Sequence, residues 1–308
     1  MPLQGEPPVI PLSCTVVVCT RDRPHLLDEC LEALSRQNYA RYDVLVVDNA
    51  PENPAASVCA KWAVAYHVEP VPGLSSARNR GARLSRSDVV AYTDDDAVPE
   101  PGWVAALMRE FSDPGIVATA GRVRYLKSDA AGLRLRGEEV EDDRALSPPR
   151  VFDRDTENWL ATACFGGIGD GGSMALRRSL FDLRKGFDER LGRGCLIAGG
   201  EEHFAWVKLI DRGFRISYTP AAVVRHPYPS TEAEELARRV TEMRTLAAYI
   251  LFLWAELPGH RLELAHYVIG SALGVKSVRW RPKGKASRLL HASKRCGHWW
   301  RGWVFTSR

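Results

Sequence analysis

The sequence predicts an α/β fold: a mainly parallel, doubly wound sheet flanked by helices, with a C-terminal helical extension. Three observations carry this. Short apolar runs rich in β-branched residues alternate with helix-spaced segments over residues 15–111. Carboxylates stand at the ends of two of those runs, and after residue 230 a long helical periodicity replaces the strand-like pattern. Strands alternating with helices imply β-α-β units and a parallel sheet. In such sheets ligands gather outside the carboxyl ends of the strands.

The elements follow in order. Thr15–Thr20 (TVVVCT) reads as a strand, and Leu26, Leu27, Cys30, Leu31 and Leu34 recur at helical spacing after Arg23. Val44–Asp48 (VLVVD) is a second strand, followed by a Pro/Asn-rich turn and a helix near Ala55–Ala63. Trp62–Val68 is a third strand. Gly73-Leu74-Ser75-Ser76 opens a helix through Leu84, with the serines available as caps. Val89–Thr93 (VVAYT) is a fourth strand, and Pro101–Phe111 a helix with proline in its first turn. Lys127–Glu157 has no clear period and carries EEVEDDR at 138–144, which reads as a surface excursion, with a substrate-covering loop as the alternative. Thr231 and Glu234 form a capping-box pair. Leu236, Val240, Met243, Ala247, Ile250, Trp254 and Leu257 then recur at 4-3 spacing up to Pro258-Gly259, and a shorter apolar helix spans Leu262–Leu273. Packing onto the preceding α/β body or a homodimer partner is the expected use of that stripe.

Composition bounds the function. The 308 residues are 45% apolar and 26% charged, ordinary globular material. The net charge of +4 is unevenly spread: residues 276–308 hold ten of the 42 Lys/Arg and none of the 38 Asp/Glu, so that segment is +10 and the rest −6. Seven scattered cysteines, none spaced as CxxC, argue against a disulfide framework and a structural zinc site. The N-terminus lacks the pattern of a secretory leader, and the longest apolar run, Leu246–Ala255, is half of the ~20 residues a spanning helix needs. A cytoplasmic protein, peripheral at the inner membrane face if membrane-bound at all, is expected.

The residues with chemical potential sit at one sheet edge. Asp48 closes the second strand and Asp94-Asp95-Asp96 the fourth. Three adjacent carboxylates repel one another if unpaired, and oxygen ligands so placed suit Mg²⁺ or Mn²⁺ holding phosphate oxygens. SSARNRG places Arg78 and Arg80 at a helix start, where anions are favoured. Glu201-Glu202 opens the helix EEHFAWVKLI, where the helix dipole alone favours acidic residues. His203 reads as a helix-surface residue.

Six segments, in order, resemble family 2 glycosyltransferases of the GT-A fold: VVVCTRDRP (16–24), VLVVDNAP (44–51), GLSSARNRGA (73–82), VVAYTDDDAVPEPGW (89–103), GGSMALRR (171–178), and FDERLG through VVRH (187–226). The resemblance covers roughly Cys14–His226. It implies a GT-A domain over residues 1–230, beyond which the helical periodicity and the charge count mark a helical extension over 231–275 and a basic Trp-rich tail over 276–308. It also implies roles: Thr20, Arg21 and Asp22 at the nucleoside, Asp48 at the base, and Arg78 and Asn79 supporting the nucleotide. Asp94 and Asp95 would order the donor site as the DxD-type element. Asp96 would ligate the metal, with Asp94 and His226 beside it. Gly172 and Ser173 lie in the loop facing donor sugar and acceptor. Glu202, paired with Glu201, would be the catalytic base. Arg21 stands where many members carry Tyr, and Glu202 replaces the commoner Asp. The QxxRW element of processive synthases is absent, since the only glutamines are Gln4 and Gln37. The implied activity is a metal-dependent (Mn²⁺ or Mg²⁺), inverting, single transfer from a nucleotide diphosphate sugar, a UDP-sugar first, to a hydroxyl acceptor: a glycan, a lipid-linked compound or a small molecule.

Two other readings were open. A sugar-nucleotide nucleotidyltransferase shares the sheet and the metal carboxylates, but CTRDRPHLL lacks the Gly-rich loop it would need after the first strand. A non-catalytic binder of anionic surfaces would rely on 276–308, where basic residues interleave with Trp280, Trp299, Trp300 and Trp303. That pattern suits an anionic bilayer better than nucleic acid, given the apolar helices before it.

Overall fold

The first strand shows how the molecule is layered. In the computed structural model, which describes residues 11–127, 148–184, 186–228 and 231–273, β1 (Cys14–Thr20) is buried along almost its whole length. Val16 and Val18 face one core and Val17 the other, as expected of a strand covered on both sides by helices. It pairs in parallel with β2 (Tyr42–Asn49) and β4 (Val89–Asp94), and β2 pairs in parallel with β3 (Ala65–Glu69). The helices α1 (Pro24–Leu34), α2 (Ala56–Lys61) and α3 (Leu74–Leu84) make the crossovers.

The second half adds antiparallel neighbours. After β5 (Val98–Pro99) and α4 (Trp103–Glu110) come β6 (Ile116–Lys127), β7 (Arg150–Phe152), α5 (Trp159–Cys164), β8 (Ser173–Arg177), α6 (Ser179–Arg184), α7 (Glu201–Ile210) and β9 (Arg215–Tyr228). The nine strands form one sheet in the order β3-β2-β1-β4-β8-β6-β9-β5, with β7 also on β9. Strand β8 is antiparallel to both neighbours, whereas the long β6–β9 ladder is parallel. Most of the sheet is therefore parallel, and the expected α/β fold stands.

Several local expectations shift. The third strand starts at Ala65, because Trp62 and Ala63 (φ +52) form the turn that ends α2. The serines of α3 do not cap it: Gly73 holds the N-cap position, and Ser75 Oγ instead donates to the Leu191 carbonyl at 2.6 Å. Helix α4 begins at Trp103, after Pro101. Within 127–157, residues 128–147 lie outside the described residues, and Arg150–Phe152 forms β7 with Phe152 buried. His226 lies inside β9, which runs on past its pairing with β5.

The C-terminal helices are α8 (Glu232–Glu256) and α9 (Arg261–Ala272). Both bonds of the capping box are made, Glu234 N–H to Thr231 Oγ1 and Thr231 N–H to Glu234 Oε2, each 3.2 Å. The packing face differs from the expected stripe. Tyr249, Phe252 and Leu253 join the core on the α3–α7 side of the sheet, with Leu264 of α9. Leu236, Val240, Met243 and Trp254 remain exposed. The 4-3 spacing marks a real apolar face, but the helix turns a neighbouring face inward. Among the described residues no helix is long and apolar enough to cross a membrane, and the six cysteines there are free. The basic segment 276–308 lies outside the described residues.

Candidate active site

Strand register assembles the acidic edge. Thr20 pairs with Asp48 across β1–β2, and Cys19 with Asp94 across β1–β4, so residues distant in sequence end at one level. The three aspartates after β4 then divide. Asp95 is fully buried, taking a hydrogen bond from Thr20 Oγ1 at 2.7 Å and an ion pair from Arg23. Burial raises its carboxyl to about 7. Asp94 and Asp96 converge instead on His226, whose Nε2 is 3.7 Å from Asp94 Oδ2 and 3.2 Å from Asp96 Oδ1. Burial works against both charges of the Asp96–His226 pair. Their mutual hydrogen bond and attraction nonetheless hold Asp96 well below the usual carboxylate range and raise His226 to about 9. Arg23 Nη1 also donates to Asp96 Oδ2 at 2.8 Å.

Asp94, Asp96 and His226 bring one ligand atom each within 4.8 Å of one another. Two carboxylates and an imidazole are a fitting donor set for a divalent cation. The imidazole favours Mn²⁺ over Mg²⁺, which prefers oxygen alone.

Arg78 joins this edge to the other acidic pair. Only 3% exposed, its Nη1 donates to Glu201 Oε1 at 2.6 Å while Nη2 lies 3.5 Å from Asp94 Oδ1 and donates to the Gly171 carbonyl at 3.3 Å. Burial disfavours its charge, but Glu201 and Asp94 more than offset this and raise its pKa. The loop before β8 passes close: a Cβ at Gly171 would stand 2.8 Å from Arg78 Nη2, and one at Gly172 2.8 Å from Asp94 Oδ2. Ser173 points into the framework, accepting from Trp103 Nε1 at 2.9 Å.

The two glutamates differ in freedom. Glu201 is clamped by Arg78, and its Oε2 is buried without a hydrogen-bond partner. Burial and neighbouring Glu202 raise it to about 7. Among the described residues no salt bridge joins Glu202 to a guanidinium; its Oε1 lies 3.5 Å from His203 Nε2. Burial raises its carboxyl too. Asp170, Glu202 and His203 form a second group with ligand atoms within 4.8 Å of one another. His203 is thus no surface residue: the turn of α7 carries it inward beside Glu202.

Gly200, with φ +87, precedes this pair. Its lack of a side chain admits the Tyr249 ring: a Cβ there would lie 2.6 Å from Tyr249 Cε2. The space beside this glycine is therefore filled by α8. Gly200→Ala is expected to cost roughly 2–5 kcal/mol, from left-handed strain plus overpacking. Urea denaturation measures it, and a loss below ~1 kcal/mol contradicts this packing.

The remaining predicted residues are placed as follows. Asp48 is buried; its Oδ2 accepts from Ala55 N–H and Tyr66 hydroxyl, each at 2.9 Å, and its Oδ1 has no hydrogen-bond partner. Asp22, at φ +57, accepts from the Glu52 and Asn53 amides at 2.7 Å, which lowers its pKa. Arg21 lies 3.5 Å from Asp22 on the surface. Asn79 binds its own protein: Nδ2 donates to the Phe187 carbonyl at 2.9 Å and Oδ1 accepts from Phe187 N–H at 2.8 Å. Arg23, Asp170 and Tyr249 were given no role by sequence reading. Only Arg23, inside the CTRDRP segment, had a local signal.

The fold is shared with the mannosyltransferase PcManGT from Pyrobaculum calidifontis in complex with GDP-Man and Mn²⁺ (TM-score 0.58, 22% identity, 88% of this chain and 78% of that one). It is shared also with S. aureus TarS residues 1–349 in complex with UDP (TM-score 0.58, 14% identity, 85% and 72%). Residues 15–183 match the model of glycosyl transferase family 2, and the chain belongs to that family. An N-acetylglucosaminyltransferase from Rhizobium leguminosarum bv. viciae is 25% identical over 273 residues, 86% of this chain and 63% of the relative. A glucosyl-dolichyl phosphate glucuronosyltransferase from Haloferax volcanii is 26% identical over 234 residues, 70% and 69%. The chain thus spans less than two thirds of the Rhizobium relative.

Proposed function

We propose that this chain transfers one sugar, with inversion, from a nucleotide diphosphate sugar to a hydroxyl acceptor, using a divalent cation and Glu202 as general base. One observation supports it above the rest: buried Arg78 contacts Asp94 on one side and Glu201 on the other. A cation-type ligand set and a carboxylate pair of raised pKa thereby share one wall.

Asp96, Asp94 and His226 would hold the cation, which when bound offsets charge on the departing diphosphate. Glu202, ionised above its raised pKa, accepts the acceptor hydroxyl's proton as that oxygen attacks the anomeric carbon from the face opposite the diphosphate. Its elevated basicity is useful, since a carboxylate of ordinary pKa holds a proton poorly. Arg78 fixes Glu201 and opposes, without cancelling, the rise in its pKa, leaving its neighbour as the acceptor of the proton. The free Asp48 Oδ1 suits an N–H of the base. A UDP-sugar is the first donor to try, with GDP-sugars second; Thr20, Arg21, Asp22, Asn79 and Asp95 support the pocket walls in this reading.

The test is a thermal-shift series of nucleotide diphosphates with and without Mn²⁺. One nucleotide is expected to raise Tm only with the metal. Asp96→Ala, which also removes the ion pairs to Arg23 and His226 and so lowers the metal-free Tm, is expected to abolish that increment. An increment that survives the substitution removes Asp96 from the metal site.

A further inference from the structure

The outward face of α8 is the feature that the transfer reaction leaves unused. Leu236 is 64% exposed, Val240 40%, Met243 50%, Leu251 71% and Trp254 43%. At 100° per residue these side chains, with Ala247, fall on one continuous stripe. The opposite face, Tyr249 and Leu253, is buried against the body. On α9, Leu262, Ile269 and Leu273 are also exposed, spaced seven and four residues apart on one side of that helix.

We propose that this face seats α8 flat on an anionic bilayer surface. Charge selects the bilayer over a second copy of the chain. Arg239 and Arg244 flank the stripe on its two sides, at the positions that face a partner helix in a coiled coil. In a parallel pair Arg239 meets Arg244 of the other copy; in an antiparallel pair each meets its own counterpart. Glu235 offsets Arg239; Arg244 finds no counter-charge on the apolar stripe of a second copy, whereas an anionic headgroup satisfies it. Arg244 is exposed and has no ion-pair partner among the described residues. Glu235, Glu242 and Glu256 are each neutralised by an arginine, Arg239, Arg238 and Arg190. The sequence continues the theme, since 276–308, starting three residues after Leu273, holds ten basic residues, no acidic ones and four tryptophans. An amphipathic helix with basic flanks and a Trp at the apolar edge is the kind that lies in the interfacial plane. The bilayer then lies about one helix diameter, ~10 Å, beyond Gly200 and the start of α7.

Flotation of the full chain with phosphatidylglycerol–phosphatidylcholine vesicles tests this without any turnover, so it succeeds or fails independently of the transferase reading. Binding is expected to the anionic vesicles and not to pure phosphatidylcholine. Val240→Glu with Met243→Glu is expected to lower it at least tenfold. Thr241→Glu, on the exposed side of the helix away from the stripe, is expected to leave it within twofold. As all three sites are exposed, Tm and the Mn²⁺-dependent nucleotide shift should hold in both variants. Should the stripe variant not fold, hydrogen exchange on the unaltered chain decides: slower exchange over 236–257 with anionic vesicles supports the proposal, and unchanged exchange overturns it. Vesicle binding indifferent to the stripe variant, or no binding at all, overturns it as well. So does a dimer in sedimentation velocity that the stripe variant abolishes.

Discussion

Glu202→Gln is expected to lower sugar transfer by about 10²–10⁴-fold, the range over which a positioned general base contributes. The substitution keeps the shape of the side chain and removes only its capacity to take a proton. Nucleotide binding with Mn²⁺ should survive, because Glu202 belongs to the group with Asp170 and His203, separate from Asp94, Asp96 and His226. The pH profile gives a second readout. Burial raises the Glu202 carboxyl, so the active, ionised form prevails above that raised value. The rate in the unaltered enzyme should therefore fall as pH drops through a point higher than the ordinary carboxylate range. The variant's residual rate should lack that limb. Should Glu202→Gln remain fully active while Glu201→Gln is dead, the roles of the pair are reversed.

Arg78→Leu is expected to be the most destabilising single change. It strands Glu201, only 5% exposed, without its counter-charge. Removing one member of a buried ion pair costs about 3–5 kcal/mol. For a domain of this size that lowers Tm by roughly 6–20 °C. The loss arises from the orphaned carboxylate, so Arg78→Leu combined with Glu201→Gln should recover a sizeable part of it. A double-mutant cycle on urea denaturation measures the coupling. If the two changes add without interaction, the Arg78–Glu201 contact is not what holds this wall. Arg78→Lys is not expected to rescue, since an ammonium cannot reach Glu201, Asp94 and the Gly171 carbonyl at once.

The parallel half of the fold was legible because its strands are short apolar runs bounded by turn residues, and Val16–Val18 need only local pattern to be read. The acidic edge was legible for the same reason: Asp48 and Asp94 close such runs. The resemblance to family 2 glycosyltransferases and the GT-A fold is borne out by the family match and the shared folds. Other features depend on distance in sequence. Arg23 meets Asp95 and Asp96 across 72 and 73 residues, and no local pattern announces such a pair. The contact of Tyr249 with Gly200 is of the same kind. The α8 stripe shows a subtler limit: period alone reveals that a helix has an apolar face, but not whether the body or something else covers it. His203 was misjudged because its neighbours in sequence do not reveal which way α7 turns.

Strand β9 has a consequence for how the protein is made. It pairs with β5, β6 and β7, three strands that precede it in the chain, the farthest paired residues, Val98 and Arg225, standing 127 apart, and it carries His226. The family match ends at residue 183, before Glu201, Glu202 and β9. A nascent chain emerging from the ribosome N-terminus first therefore exposes β6 with one ladder unfilled until residue 228 has left the tunnel. A fragment cut at the family border would hold an open strand edge prone to pairing with other chains. It would also carry Asp94 and Asp96 but not His226, and neither Glu201 nor Glu202. Limited proteolysis of stalled or truncated chains should find protection of β6 only once β9 is included.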